Sequence, residues 1–219
     1  MTSDGGRATD LVIWAGGDAM PNDARLTIAP GDALIVVDVQ RDFLAGGGLA
    51  GPGGDAVVPA LNRYLARLRA AGRAIAASRD WHPPGHCSFK DQGGPWPAHC
   101  VIGTEGAQFA PGLELPPSTI IVSKGARRDA DAYSAFQGTG LHERLKAAGV
   151  QRVFVGGLAT DYCVRQTVTD ALARGYQVVL LQDAIRAVNV QPGDGRRAEE
   201  EMLRGGAVPI RHDQLAHAA

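Results

Sequence analysis

The chain has 219 residues, with 22 Lys and Arg against 23 Asp and Glu, for a formal net charge of −1. So even a balance gives no electrostatic footprint for nucleic acid or an anionic membrane, and no apolar run approaches the roughly 20 residues that span a bilayer. With 45% hydrophobic and 21% charged residues, the composition is that of an ordinary globular protein with room for one well-filled domain and hardly for two.

Residues 1–9 are polar and Gly-containing and read as disordered, and Leu11–Trp14 reads as a short edge strand. The N-terminus lacks a basic region followed by an apolar core, so no signal peptide is expected. Residues 1–30 are taken as a partly disordered N-terminal extension, with a contact in a homo-oligomer as its one suggested use. Residues 31–219 are taken as a single domain. From residue 31 strands alternate with helices. Ala33–Val39 is a continuous apolar run that suits a strand buried on both faces. Val57–Ala71 carries Val57, Leu61, Leu65 and Leu68 at helical spacing, and Gly72 is a stop signal. Ala74–Ser78 is the next strand. Asp80–Pro117 is long, irregular and rich in Pro and Gly; such length inside a compact domain usually marks a functional loop. Thr119–Ser123 reads as a strand, Leu141–Ala148 as a short helix and Arg152–Val155 as a buried strand. Asp161–Arg174 reads as a helix ending at Gly175. Gln177–Leu181 (strand), Arg196–Arg204 (helix) and Ala207–Ile210 (strand) complete the order. The alternation predicts an α/β fold: a mostly parallel sheet with helices on both faces.

In such sheets ligands bind beyond the carboxyl ends of the strands. Asp38, Asp80, Lys124 and Cys163 each stand at the end of one predicted strand or just after it, on one edge of the sheet. Cys163 lies in Gly156-Gly157-Leu158-Ala159-Thr160-Asp161-Tyr162-Cys163-Val164, in the first turn of a helix. Unpaired N–H groups and the helix dipole there favour thiolate over thiol. The Ala159 and Cys163 N–H groups point into the same space and can form an oxyanion hole. Asp38 closes an otherwise apolar run, which is costly for a carboxylate unless it is paired or useful. Asp183 has a similar context and is assigned a structural role. Lys124, one of three lysines with Lys90 and Lys146, supplies a fixed positive charge near developing negative charge.

The long loop holds a second constellation. Asp80 and His82, two apart, project to one side of extended backbone; His86 and His99 follow in the same region. Three histidines and a carboxylate suit a borderline divalent metal such as zinc, iron or manganese. Cys100 and Cys87 read as packing residues. His142, His212 and His217 are assigned nothing. Three cysteines in all argue against a disulfide framework and for a reducing compartment, the cytoplasm.

Several of these pieces occur together in one known family. Val37-Asp38-Val39-Gln40-Arg41-Asp42-Phe43, Arg79-Asp80-Trp81-His82-Pro83, Trp96-Pro97-Ala98-His99-Cys100-Val101, Lys124-Gly125, Tyr133-Ser134-Ala135-Phe136 and Gly157–Val164 stand in the family's order. Over residues 31–211 the chain resembles the nicotinamidases (pyrazinamidases) of the isochorismatase-like cysteine hydrolase superfamily, whose fold is a three-layer α/β/α sandwich. The resemblance implies that Asp38 takes the proton of Cys163, that Lys124 stabilises the resulting charge, and that Cys163 attacks a carboxamide carbon. It implies a cis peptide between Leu158 and Ala159. It implies a metal on Asp80, His82 and His99, with waters or His86 completing the shell, that binds the pyridine nitrogen of the substrate. Phe43, Trp96 and Tyr133 match positions that line the ring pocket. The charged run 126–132 either lies outside that pocket or alters substrate range.

Two other readings compete. One is a metal-independent relative acting on another small amide such as maleamate, which metal analysis would separate. The other is a non-catalytic binding protein on the same fold, in which all three thiols would react equally slowly with an alkylating agent.

Overall fold

The structure is a computed structural model that describes residues 25–216; Leu11–Trp14 and His217 lie outside them. Six strands form one sheet: β1 (Asp32–Val37), β2 (Ala74–Asp80), β3 (Ile120–Lys124), β4 (Arg152–Leu158), β5 (Gln177–Arg186) and β6 (Val208–Ile210). All pairings are parallel, in the order β3-β2-β1-β4-β5-β6. Helices α1 (Val57–Ala70), α2 (Leu141–Ala147), α3 (Arg165–Ala173) and α4 (Asp194–Arg204) supply four of the five crossovers, and the long loop links β2 to β3. The expected three-layer α/β/α arrangement is what the chain forms.

Period-two alternation in β1 explains the layers. Leu34 and Val36 face α1, where they join Leu61, Leu65 and Leu68. Ala33, Ile35 and Val37 face the other way, toward Leu141 and Leu145 of α2 and Val168 and Ala171 of α3. Every residue of β1 is buried, as a strand covered by helices on both sides must be. Leu26 pairs with Leu215, and with Ile28 it packs on the α1 side.

The strand order sets the position of the site. The chain runs outward from β1 to β2 and β3, then returns to β4 on the other side of β1. The crevice between the carboxyl ends of β1 and β4 is therefore the topological switch point, where open α/β sheets bind ligands. Asp38 and Cys163 follow those two strands.

Three strands run longer than their apolar segments predict, β2 by Arg79 and Asp80, and β4 and β5 by more. β4 continues through Gly156 and Gly157 because Gly157, at φ +133, lies against the Val37 backbone, where any Cβ would collide. β5 continues through Gln182 and Asp183 past an irregularity in the β4 ladder. Asp183 is tolerated because its carboxylate accepts bonds from Tyr64 Oη (2.6 Å) and the His212 N–H (3.2 Å). This is the structural role its context suggests. Replacing Asp183 with Ala would leave the buried Tyr64 hydroxyl without its acceptor and should cost about 1–3 kcal/mol in urea unfolding with no change in kcat. A fall in kcat at unchanged stability would give Asp183 a different role.

Candidate active site

Asp38 leaves β1 with a left-handed φ of +48, which swings its side chain off the sheet and into the crevice. Ser78 Oγ donates to Asp38 Oδ1 at 2.7 Å. Asp38 Oδ2 receives no aligned hydrogen bond and faces Lys124 Nζ at 2.9 Å. Lys124 ends β3 and reaches across β2. Its ammonium also meets Asp80 Oδ1, the Ala132 carbonyl at 3.2 Å and Cys163 Sγ at 3.3 Å. Ligand atoms of Asp38, Asp80 and Cys163 all lie within 4.8 Å of one another. Asp38 and Lys124 are almost wholly buried, and Cys163 is 7% exposed.

The electrostatics follow from that burial. Desolvation by burial pushes the Cys163 thiol well above its ordinary value. Lys124 opposes this, while Asp38 and Asp80 add to the rise. Burial likewise raises the Asp38 carboxyl against the pull of the Lys124 charge. Burial alone would lower the Lys124 ammonium, but Asp38 and Asp80 around it hold it well above its usual range. Burial also raises Asp80, yet Lys124 and His82 together outweigh it and keep that carboxyl below the usual carboxylate range. Burial and the two carboxylates thus work against the thiolate that a helix start favours, while Lys124 works for it, and a carboxylate that burial makes more basic stands beside the sulfur.

The local backbone differs too. Cys163 sits in a single π-helical turn, Thr160–Val164, ahead of α3, a feature often found at functional sites. The Leu158–Ala159 peptide is cis. The Tyr162 and Val164 N–H groups both donate to the Ala159 carbonyl at 3.1 Å. Asp161 fixes the turn from behind by accepting from the Val188 and Asn189 N–H groups at 3.0 and 2.8 Å.

Beside these groups Asp80, His82 and His99 offer three ligand atoms within 4.8 Å of one another, all buried. His82 Nδ1 faces the Gly125 carbonyl at 3.0 Å and His99 Nδ1 faces the Pro97 carbonyl at 2.8 Å. As donors there, both rings turn Nε2 lone pairs inward. Those atoms stand 3.8 and 4.0 Å from Asp80 Oδ2, and His82 Nε2 is buried with no hydrogen-bond partner. Two lone pairs facing a carboxylate oxygen repel unless a cation lies between them. The donor set therefore fits a divalent metal. Burial disfavours a charged His82, but Asp80 outweighs it and raises that ring's pKa, so a proton would compete for the same space. Gly125, at φ +64, lets its chain pass where a Cβ would strike the His82 ring.

His86 stands apart from this group. Its Nδ1 pairs with Ser88 Oγ at 2.8 Å and its Nε2 with the Ala130 carbonyl at 3.3 Å. Its ring lies on that of His82, with centroids 4.2 Å apart, so it buttresses His82 and has no lone pair to spare. Phe43 packs against His99 at 5.7 Å. Trp96 Nε1 donates to Tyr133 Oη at 3.1 Å, and burial pushes the Tyr133 hydroxyl up to about 12. Trp96 and Tyr133 also contact Tyr162, at 5.0 and 6.0 Å between ring centroids.

Ser78 and Tyr162 were not singled out from sequence, although each carried a signal. Ser78 is the first polar residue of β2, after the apolar Ala74–Ala77, and Tyr162 adjoins Cys163. Within the run 126–132, Arg127 and Asp129 turn outward as an exposed ion pair and Arg128 bonds the Pro84 carbonyl, while the Ala130 and Ala132 carbonyls face His86 and Lys124. A cleft of about 420 Å³ between the end of β5 and α4 touches the site only through Thr160.

Similarity to known proteins bears on this geometry. The Isochorismatase domain model matches residues 32–214. The chain is 42% identical over 199 residues to the nicotinamidase of Escherichia coli K12, covering 81% of this chain and 93% of that one. It is similar to a pyrazinamidase of Pyrococcus horikoshii solved in complex with zinc, at 47% identity and TM-score 0.80, covering 83% of this chain and 99% of that one. It is also similar to PnC1 from L. infantum solved in complex with nicotinate, at 38% identity and TM-score 0.80, covering 88% and 98%.

Proposed function

The chain belongs to the isochorismatase family, and from that premise we propose that it is a nicotinamidase, converting nicotinamide to nicotinic acid and ammonia through a thioester on Cys163. The observation that carries this reading is the convergence, in one buried crevice, of a thiol, a carboxylate of raised basicity and an ammonium beside a cation-seeking Asp-His-His group. Its similarity to a nicotinamidase, to a pyrazinamidase and to a protein solved with nicotinate supports it.

In this reading Asp38 Oδ2 takes the Cys163 proton as sulfur bonds to the carboxamide carbon. The Ala159 and Cys163 N–H groups hold the oxyanion, and Lys124 stabilises the charge passed between Asp38 and the sulfur. Asp38 then returns the proton to the departing nitrogen, the C–N bond breaks, and ammonia leaves. A water gives its proton to Asp38 and adds to the thioester carbon; the C–S bond breaks, the acid departs, and Cys163 recovers its proton. Phe43, Trp96 and Tyr133, with Tyr162, provide flat surfaces for a heteroaromatic ring. A metal held by Asp80, His82 and His99 would supply a Lewis-acid contact for the ring nitrogen. Zinc, iron and manganese all accept these donors, and the zinc-containing relative favours zinc. Three free thiols suit the reducing cytoplasm.

An ammonia-release assay with and without chelator tests the reading. Exhaustive chelation should raise KM and lower kcat/KM for nicotinamide by about 10–100-fold, with added zinc or manganese restoring both. Benzamide, which lacks the ring nitrogen, should be a poor substrate whether or not metal is present. Turnover of nicotinamide indifferent to chelation would favour a metal-independent amidase instead.

A further inference from the structure

We propose that Gln40 is a positioning residue whose side-chain amide replaces a missing stretch of strand, fixes Asp80, and thereby sets the affinity of the Asp80–His82–His99 group for a divalent cation. The inference rests on the metal reading of that group.

The need for such a residue arises at Asp38. β1 pairs with β2 as far as Val37 and Ser78, and the Asp38 N–H still reaches the Ser78 carbonyl at 3.2 Å. Then φ turns positive at Asp38, and the Gln40 N–H folds back onto the Asp38 carbonyl at 2.9 Å. The main chain has left the sheet one step before the end of β2. On its β1 side Asp80 would be left with a buried N–H and a buried carbonyl unmatched, a costly state.

The Gln40 amide fills that place. Its Oε1 accepts the Asp80 N–H at 2.7 Å, and its Nε2 donates to the Asp80 carbonyl at 2.8 Å. The second Nε2 hydrogen goes to the Ala107 carbonyl at 3.0 Å, in the returning arm of the long loop. Gln40 is fully buried, so both donors are spent with no water to substitute for them. On its other side Asp80 is in register with Lys124, and the Trp81 N–H bonds the Lys124 carbonyl at 2.9 Å. Asp80 is thus gripped by β3 on one flank and by a single side chain on the other.

The consequence lies in how the Asp80 carboxylate is divided. Oδ1 serves Lys124, while Oδ2 faces His82 and His99. A small rotation of this residue would spoil the cation group, since ligands held by outer partners lose affinity when those partners go. The turn that aims Asp38 into the crevice therefore creates the gap that Gln40 closes.

Two variants test this. Gln40→Met keeps length and removes every polar atom; Gln40→Glu keeps the acceptor but sets a carboxylate oxygen against the Asp80 and Ala107 carbonyls. Metal-free protein would be titrated with zinc against a chromophoric chelator, and the visible bands of the cobalt-loaded protein recorded. Both variants should bind zinc about 10–100-fold more weakly and show shifted cobalt bands. Asp183→Ala, destabilised elsewhere, should match the parent in both. Parent-like affinity and bands in the Gln40 variants would overturn the inference, and so would failure of both variants to fold, which would make Gln40 purely structural. A parent whose zinc binding is untouched by His82→Ala would instead remove the metal reading, and the inference with it.

Discussion

Replacing Cys163 with serine is expected to lower kcat/KM for nicotinamide by about four orders of magnitude or more. The sulfur lies 3.3 Å from the Lys124 ammonium and within 4.8 Å of a carboxylate oxygen of Asp38. No other thiol can take its place: Cys100 is buried, with its thiol pushed up by burial and by Asp80, and Cys87 stands by His86 rather than in the crevice. A serine hydroxyl in the same position is far harder to ionise between two carboxylates. Oxygen for sulfur is nearly isosteric, so the melting temperature and zinc affinity should stay at parent values while ammonia release disappears. Activity within about tenfold of the parent would show that the bond-making atom lies elsewhere. Simple alkylation rates are less telling than expected from sequence, because Cys87 is the most accessible of the three thiols.

Asp38→Asn should cost about 10²–10⁴ in kcat and change KM little. Asn keeps the shape, and its side-chain carbonyl can still accept from Ser78 Oγ. What it loses is the ability to carry a proton, first from sulfur and then to the leaving nitrogen. The same change removes a negative charge that raises the Cys163 thiol, while Lys124, which lowers it, remains. The thiolate fraction measured by ultraviolet titration should therefore rise as turnover falls. These opposite movements separate proton carriage from simple thiol activation. If thiolate fraction and kcat instead fell together, Asp38 would be acting only to ionise the sulfur.

The layered fold and the edge that carries the chemistry were legible in the sequence for one physical reason. A parallel strand buried on both faces must be apolar throughout, so Asp38, Asp80 and Lys124 show up as polar residues ending apolar runs, all at one edge. The π-helical turn at Cys163 was not legible, because no side-chain pattern distinguishes it from the first turn of an ordinary helix. The length of β5 was hidden by Gln182 and Asp183, whose polarity is satisfied by distant segments: Gln182 by Glu199, and Asp183 by Arg63, Tyr64 and the residue 212 N–H. The pull of burial against a thiolate was hidden for the same reason. Local sequence shows a helix dipole, whereas burial beside Asp38 and Asp80 is a property of the assembled crevice. His86 belongs with the other loop histidines in sequence, yet Ser88, two residues on, and Ala130, brought up by tertiary packing, take up its ring nitrogens.

Rapid quenching of the enzyme during turnover of nicotinamide, followed by peptide mass mapping, examines the proposed covalent step itself. A nicotinoyl group should be found on the peptide that contains Cys163, absent from the peptides of Cys87 and Cys100, and absent altogether from Cys163→Ser. Steady turnover with no acyl group on that sulfur at any quench time would mean that water attacks the amide directly and that the thioester route is wrong.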